Sequence, residues 1–197
     1  MIVEFTLGAL MLVPPAGAPV VQVDFRDPVE RVVVYPPDAV IERMTGLPLP
    51  PSTQQAFETE FEAGVFFGAF AVTKDGGYGY ATGSNSIEAA RDIAMQECLK
   101  QGPACLIYAE LLPQGYQPLT DGQASLSPEA AAFYTQPDPN WGNFRAMAVS
   151  EDGAYSVVWN HASPADARAA ALADCVENLI TDLPDLRHMP CVLLPFK

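Results

Sequence analysis

Residues 67–98 read FGAFAVTKDGGYGYATGSNSIEAARDIAMQEC, and residues 144–175, 77 positions on, read FRAMAVSEDGAYSVVWNHASPADARAAALADC. Twelve of these thirty-two positions are identical without a gap, and a second cysteine follows each copy, at Cys105 and Cys191. Each copy carries a hairpin signal: Phe67–Thr73 and Tyr78–Thr82 around Asp75-Gly76, then Phe144–Ser150 and Tyr155–Trp159 around Asp152-Gly153. Asp-Gly between hydrophobic runs predicts a tight turn in which both central residues take positive φ. A helix follows, with Ser86 and Ser163 as N-caps and Pro164 at the first helical position. Ala90, Ala94 and Cys98 fall on one stripe at i, i+4 and i+8, as do Ala167, Ala171 and Cys175, so each helix can lie close on a sheet.

Outward from these cores, Ser52–Phe57 and Ser127–Phe133 predict a short opening helix for each copy, and Ala104–Ala109 and Cys191–Leu194 a closing strand. The expected fold class is α+β: two pseudo-symmetric helix–β-hairpin–helix–strand units with antiparallel sheet, stapled by disulfides. Residues 52–111 and 127–197 form the units, and 112–126, rich in Pro, Gly, Gln and Ser, the linker. Before them, residues 20–51 are proline-punctuated, with one strand at Val32–Tyr35 and a helical turn at Asp38–Met44. Residues 1–19 read as a signal-peptide remnant, from the apolar run Phe5–Val13 and the A-x-A site at Ala16–Ala18. The second copy alone carries an insertion from Asn178 to Pro190.

The 197 residues hold 24 acids against 10 bases, a net charge of -14. Binding to a phosphate backbone needs a basic surface, so nucleic acid is excluded as a partner. No apolar run is long enough to span a bilayer as a helix, so an integral membrane protein is not expected. The cysteine separations of 7 and 16 fit no zinc spacing and no C-x-x-C redox motif. Four cysteines allow three pairings; the duplication favours Cys98–Cys105 with Cys175–Cys191, the alternative being four buried thiols. Paired cysteines place the chain in an oxidising compartment, periplasmic or secreted.

No catalytic set, metal site or cofactor site emerges. Gly76–Gly83 matches neither dinucleotide nor P-loop spacing and reads as turn and strand. His161 and His188 are the two histidines; a triad with Ser150 or Ser163 lacks a nucleophile elbow, and a metal site with Asp185 lacks a further ligand. Glu58, Glu60 and Glu62 read as a solvated face, Asp75 and Asp152 as turn residues, and Arg91 and Arg168 as structural ion-pair formers. Tyr78, Tyr80, Tyr155, Trp159 and Trp141, with His161 and His188, make the candidate binding surface, against a packing role for the same rings.

The repeated pattern Gly68-Ala69-Phe70-Ala71-Val72, Gly77-Tyr78-Gly79, Ala89-Ala90-Arg91, Cys98 and Cys105 resembles a bacterial domain of unknown function found in exported proteins. That resemblance implies an exported, cysteine-paired module without established activity. The second copy departs from it at Arg145 and in the insertion. Similar tandem proteins with a segment like Val32–Pro37 sometimes carry a 5-aminolevulinate synthase label in alphaproteobacterial genomes. That chemistry needs a Schiff-base lysine in a packed pocket, whereas Lys74, Lys100 and Lys197 fall in a turn, at a helix end and at the terminus. The expected function is a non-enzymatic binding or accessory module acting through contacts with another protein. The alternative is a small hydrolase, or an enzyme inhibitor, using a cleft between the repeats near His161 and His188.

Overall fold

The computed structural model describes residues 29–180, 182–183 and 189–195. The proposed leader, Asp185, His188 and Lys197 lie outside the described residues, as does part of the insertion. Chain order is β1 Arg31–Val33, β2 Ala39–Arg43, α1 Pro51–Ala56 continued by a π-helical turn Phe57–Phe61, β3 Phe67–Val72, β4 Tyr78–Ser84, α2 Ile87–Leu99 and β5 Leu106–Pro113. Then come β6 Gln123–Ser125, α3 Pro128–Thr135, β7 Ala146–Val149, β8 Tyr155–Val158, α4 Pro164–Glu177 and β9 Val192–Leu193. The protein is α+β: β2-β5-β3-β4 form one antiparallel sheet, β8-β7-β9 a second, and β1 pairs with β6 in parallel. Each hairpin keeps its first strand next to the closing strand, as β5-β3-β4 and β9-β7-β8.

Alternation along β3 fills two separate cores. Phe67, Ala69 and Ala71 pack under α2, while Phe70 and Val72 meet Phe57 and Phe61 on the opposite face. The π-helical turn, closed by Glu62 N–H donating to Phe57 C=O at 2.9 Å, aims both fully buried phenylalanines at Phe70. Glu58, Glu60 and Glu62 are left in solvent on its other side. The second sheet has the same two faces. Ala146 and Ala148 lie under α4, and Met147 and Val149 join Val29, Leu126, Ala130, Ala131 and Leu194.

Both helices start as their sequences dictate: Ser86 Oγ accepts from Ala89 N–H at 3.0 Å and Ser163 Oγ from Asp166 N–H at 3.1 Å. The small-residue stripes are fully buried. Gly79 is required because a Cβ there would collide with the backbone of α2 at Cys98. Ser156 takes the same place in the second copy and its hydroxyl donates to Ala171 C=O at 2.5 Å. Each helix then ends in a disulfide, Cys98–Cys105 and Cys175–Cys191, both with Cα atoms 6.1 Å apart.

Three expectations are corrected. In the turns only Gly76 (φ 91°) and Gly153 (φ 108°) take positive φ. Gly76 N–H donates to Thr73 C=O and Thr73 N–H to Gly77 C=O, so the loop is a three-residue turn closed by a glycine bulge. Asp38–Met44 does not hold a helical turn: Ala39–Arg43 is an extended strand on β5, which places Ala39 and Ile41 against the Phe57 cluster. The stretch 112–126 also contains the end of β5 and all of β6, so part of the expected linker is ladder.

Asn85 joins the two units. It is 4% exposed, and its N–H donates to Glu151 C=O at 2.8 Å while its C=O accepts from Ser125 Oγ at 2.5 Å. Its side chain donates to Ser150 C=O at 2.7 Å and accepts from Ser127 N–H at 2.6 Å. The second-copy residue at this alignment position is Ala162, so the junction is asymmetric.

Candidate functional site

Four rings form a ladder on the second unit. Tyr155 lies 5.9 Å from Phe133, Phe133 stacks on Trp141 at 6.2 Å and 20°, and Trp141 stacks on Trp159 at 5.1 Å and 10°. Parallel displaced stacking of this kind is favourable by about 0.5–1.5 kcal/mol per pair beyond area burial. The ladder nevertheless stays open to water at Trp159, 44% exposed, and Phe133, 38% exposed. Tyr155 and Trp159 share one face because they are four residues apart on an extended chain. Where the second copy has Trp159 the first has Thr82.

The ladder borders a groove of about 570 Å³ whose floor is Gly153–Val157, with Phe133 and Trp159 on one side and Asp174 and Asn178 on the other. That floor is the outer edge of β8, because among the described residues β8 is terminal in its sheet. Ser150 N–H bonds to Ala154 C=O, which fixes the alternation: Ala154, Ser156 and Val158 turn their peptide groups to β7, and Tyr155 and Val157 turn theirs outward. The outward C=O of Tyr155 accepts a bond from Asn178 Nδ2 at 3.3 Å. The Tyr155 hydroxyl is pushed up to about 12 by burial and by a hydrogen bond to Glu129. It is a neutral donor at physiological pH.

The last turn of α4 contains Asp174 and Glu177, both exposed, and no basic residue. Carboxylates at a helix C-terminus sit against the negative end of its dipole. Asp174 thus puts a negative charge on the rim of the groove.

Of the predicted surface residues, Tyr155, Trp141 and Trp159 come together here. Tyr78 and Tyr80 sit on the first unit, half-buried and stacked on Phe70 at 5.4 and 6.2 Å, as part of the Phe57 core. His161 is half-buried just beyond Trp159, its N–H bonded to Phe144 C=O at 3.2 Å. Phe133, Asp174 and Asn178 were not singled out from sequence. The only signal was Asn178 at the start of the insertion.

A second concavity, about 580 Å³, lies between the units and is lined by Glu30, Glu88, Asp121 and Glu151 with Ser86 and Ser150. His161 is not part of it. Ser150 Oγ donates to Met189 C=O at 2.8 Å, and Ser163 Oγ caps α4 and donates to Asp166 at 2.7 Å, so both candidate nucleophiles are committed to structure. Arg91 grips the buried Glu110 through two bonds of 2.7 and 2.9 Å, whereas Arg168 is exposed on α4. Lys74 is exposed in its turn and Lys100 pairs with Glu97 at 3.1 Å. Among the described residues no group of three or more His, Cys, Asp or Glu converges on a metal position, and no helix is long and apolar enough to cross a membrane.

Compared with known proteins, the chain matches no family model, no curated protein and no solved structure.

Proposed function

We propose that this chain is an exported, non-enzymatic binding module, built by duplication of one disulfide-stapled unit, that engages another protein through the aromatic ladder of its second copy. The observation that carries the reading is the stacked Phe133–Trp141–Trp159 column, open to water at Phe133 and Trp159, beside an edge of β8 that pairs with no other strand among the described residues. Exposed aromatic clusters of this kind are enriched at protein interfaces, where a few large rigid rings supply most of the binding energy. Two disulfides suit an oxidising compartment such as the periplasm or the extracellular space. The cleft between the units is the seat of the alternative, a hydrolase or an inhibitor, but among the described residues His161 does not line it and Ser150 and Ser163 are committed to structural bonds.

A photo-crosslinking side chain at position 159, in the protein expressed in a host that exports it, tests this. It is expected to capture a discrete partner, while the same probe at the exposed Gln55 on α1 captures none. Identical adducts from both positions, or none from position 159, would refute the proposal.

A further inference from the structure

Resting on that reading, we infer that the occupant of the groove is an extended, basic segment of a partner protein, added as a strand to the edge of β8 that no strand covers among the described residues, with a cationic side chain over Trp159 or beside Asp174. The backbone supplies the mode. Tyr155 and Val157 point their peptide groups away from β7, and a groove of about 570 Å³ follows that edge. Asn178 already donates a side-chain amide to the Tyr155 carbonyl, in the position a strand's N–H would occupy. An edge of this kind is a template for pairing unless it is covered or charged. Main-chain bonds from an added strand give affinity, and alternate side-chain contacts give selectivity.

The charge supplies the partner's chemistry. Among the described residues, Asp174 is the only charged one lining the groove. It stands with Glu177 in a helix-terminal turn that has no base, so a cation placed there meets two carboxylates and the negative end of the helix dipole. An indole face is also the strongest aromatic site for a cation, and arginine stacks on it best. The chain uses the same combination internally: Arg43 lies 5.1 Å above the Phe57 ring and 3.6 Å from Glu62. A second copy of this chain is disfavoured as the occupant, since each copy carries a net charge of -14 and two such chains repel.

The two tryptophans of the protein, Trp141 and Trp159, both belong to the ladder, so intrinsic emission reports on this site alone. The probe is a capped Arg-Val-Arg-Val-Arg peptide. It is expected to shift that emission saturably, with a Kd of about 10–100 μM for so small an interface, and to weaken as salt rises. Capped Glu-Val-Glu-Val-Glu is expected to give no shift. N-methylation of the valine amides or of the arginine amides removes the donors of one strand edge only, so one of the two methylated peptides should lose binding and the other keep it. By calorimetry, Trp159→Ala and, separately, Asp174→Lys should each weaken binding about tenfold; Asp174 is exposed, so its variant tests the idea even if the tryptophan variant misfolds. Equal binding of the acidic peptide, retention by both methylated peptides, a shift produced instead by a β-1,4-linked glucose tetrasaccharide, or edge-mediated dimerisation in sedimentation would each overturn the inference. If the crosslink from position 159 survives saturating basic peptide, the occupant is wrong while the binding role stands.

Discussion

Replacing Asn85 by alanine is the most informative single perturbation of this fold. The change removes the bond from Nδ2 to Ser150 C=O and leaves Ser127 N–H without its acceptor Oδ1. Ser150 C=O keeps a second donor, Gly153 N–H at 3.3 Å, so the loss there is one ordinary hydrogen bond, about 0.5–1.5 kcal/mol. Ser127 N–H is buried at the start of α3, and stranding it costs about 1–3 kcal/mol. The sum is about 3 kcal/mol, falling at the junction between the units. Urea unfolding followed by two probes measures it. Tryptophan emission reads the second unit and far-ultraviolet dichroism reads both. The two traces are expected to coincide in the wild type and to separate in Asn85→Ala, with emission changing about 1–2 M of urea earlier than in the wild type. Asn85→Asp is the control. Its carboxylate still accepts from Ser127 N–H but repels Ser150 C=O, so burial raises its folded pKa above the usual ~3.9. Such a group is most stabilising below the unfolded pKa and loses that stability as pH rises through the folded one. Asn85→Asp should therefore approach wild-type stability near pH 4 and fall away towards neutrality. A midpoint for Asn85→Ala within about 0.5 kcal/mol of wild type, the range of an ordinary surface change, with coincident traces, would refute the hub.

Three further outcomes follow from the same geometry. Gly79→Ser should cost about 1–3 kcal/mol through overpacking against α2, although serine is native at the equivalent Ser156; a thermal melt unchanged from wild type would contradict the close approach. Removing both cysteines of one pair should lower stability by about 2.5 kcal/mol for Cys98–Cys105 and about 3 kcal/mol for Cys175–Cys191 in the loop-entropy model, read as a fall in denaturation midpoint. Titration at 295 nm should show a tyrosine ionising at about 12 that disappears in Tyr155→Phe. Because that pKa is raised on folding, the contribution of Tyr155 is complete below about pH 10 and is lost as pH rises towards 12, so wild type should lose stability relative to Tyr155→Phe over that window.

Much of the architecture was legible because it is written in local rules. N-caps at Ser86, Ser127 and Ser163, Asp-Gly turns and small-residue stripes each act within a few residues, and each appears where the sequence puts it. The turn type was misread because Asp-Gly serves both a two-residue turn and a bulged three-residue one, and the choice is made by strand register. Asp38–Met44 became a strand because β5 offers it an edge and the Phe57 cluster a place to bury Ala39 and Ile41, which no short-range signal reveals.

The aromatic residues divide the two kinds of information most clearly. Tyr78 and Tyr155 occupy the same position in the repeat, yet one stacks within the Phe57 core and the other begins an open ladder. Sequence by itself pointed to the helix caps and turn positions through short-range geometry, and it favoured the cysteine pairing through the internal similarity of residues 67–98 and 144–175. Which rings are covered and which face water was decided by tertiary structure. So were the placement of β8 at the edge of its sheet among the described residues, the committed hydroxyls of Ser150 and Ser163, and the role of Asn85. Each depends on partners distant in the chain, and a hydrogen bond or a stacked ring has no energy until the fold brings both halves together.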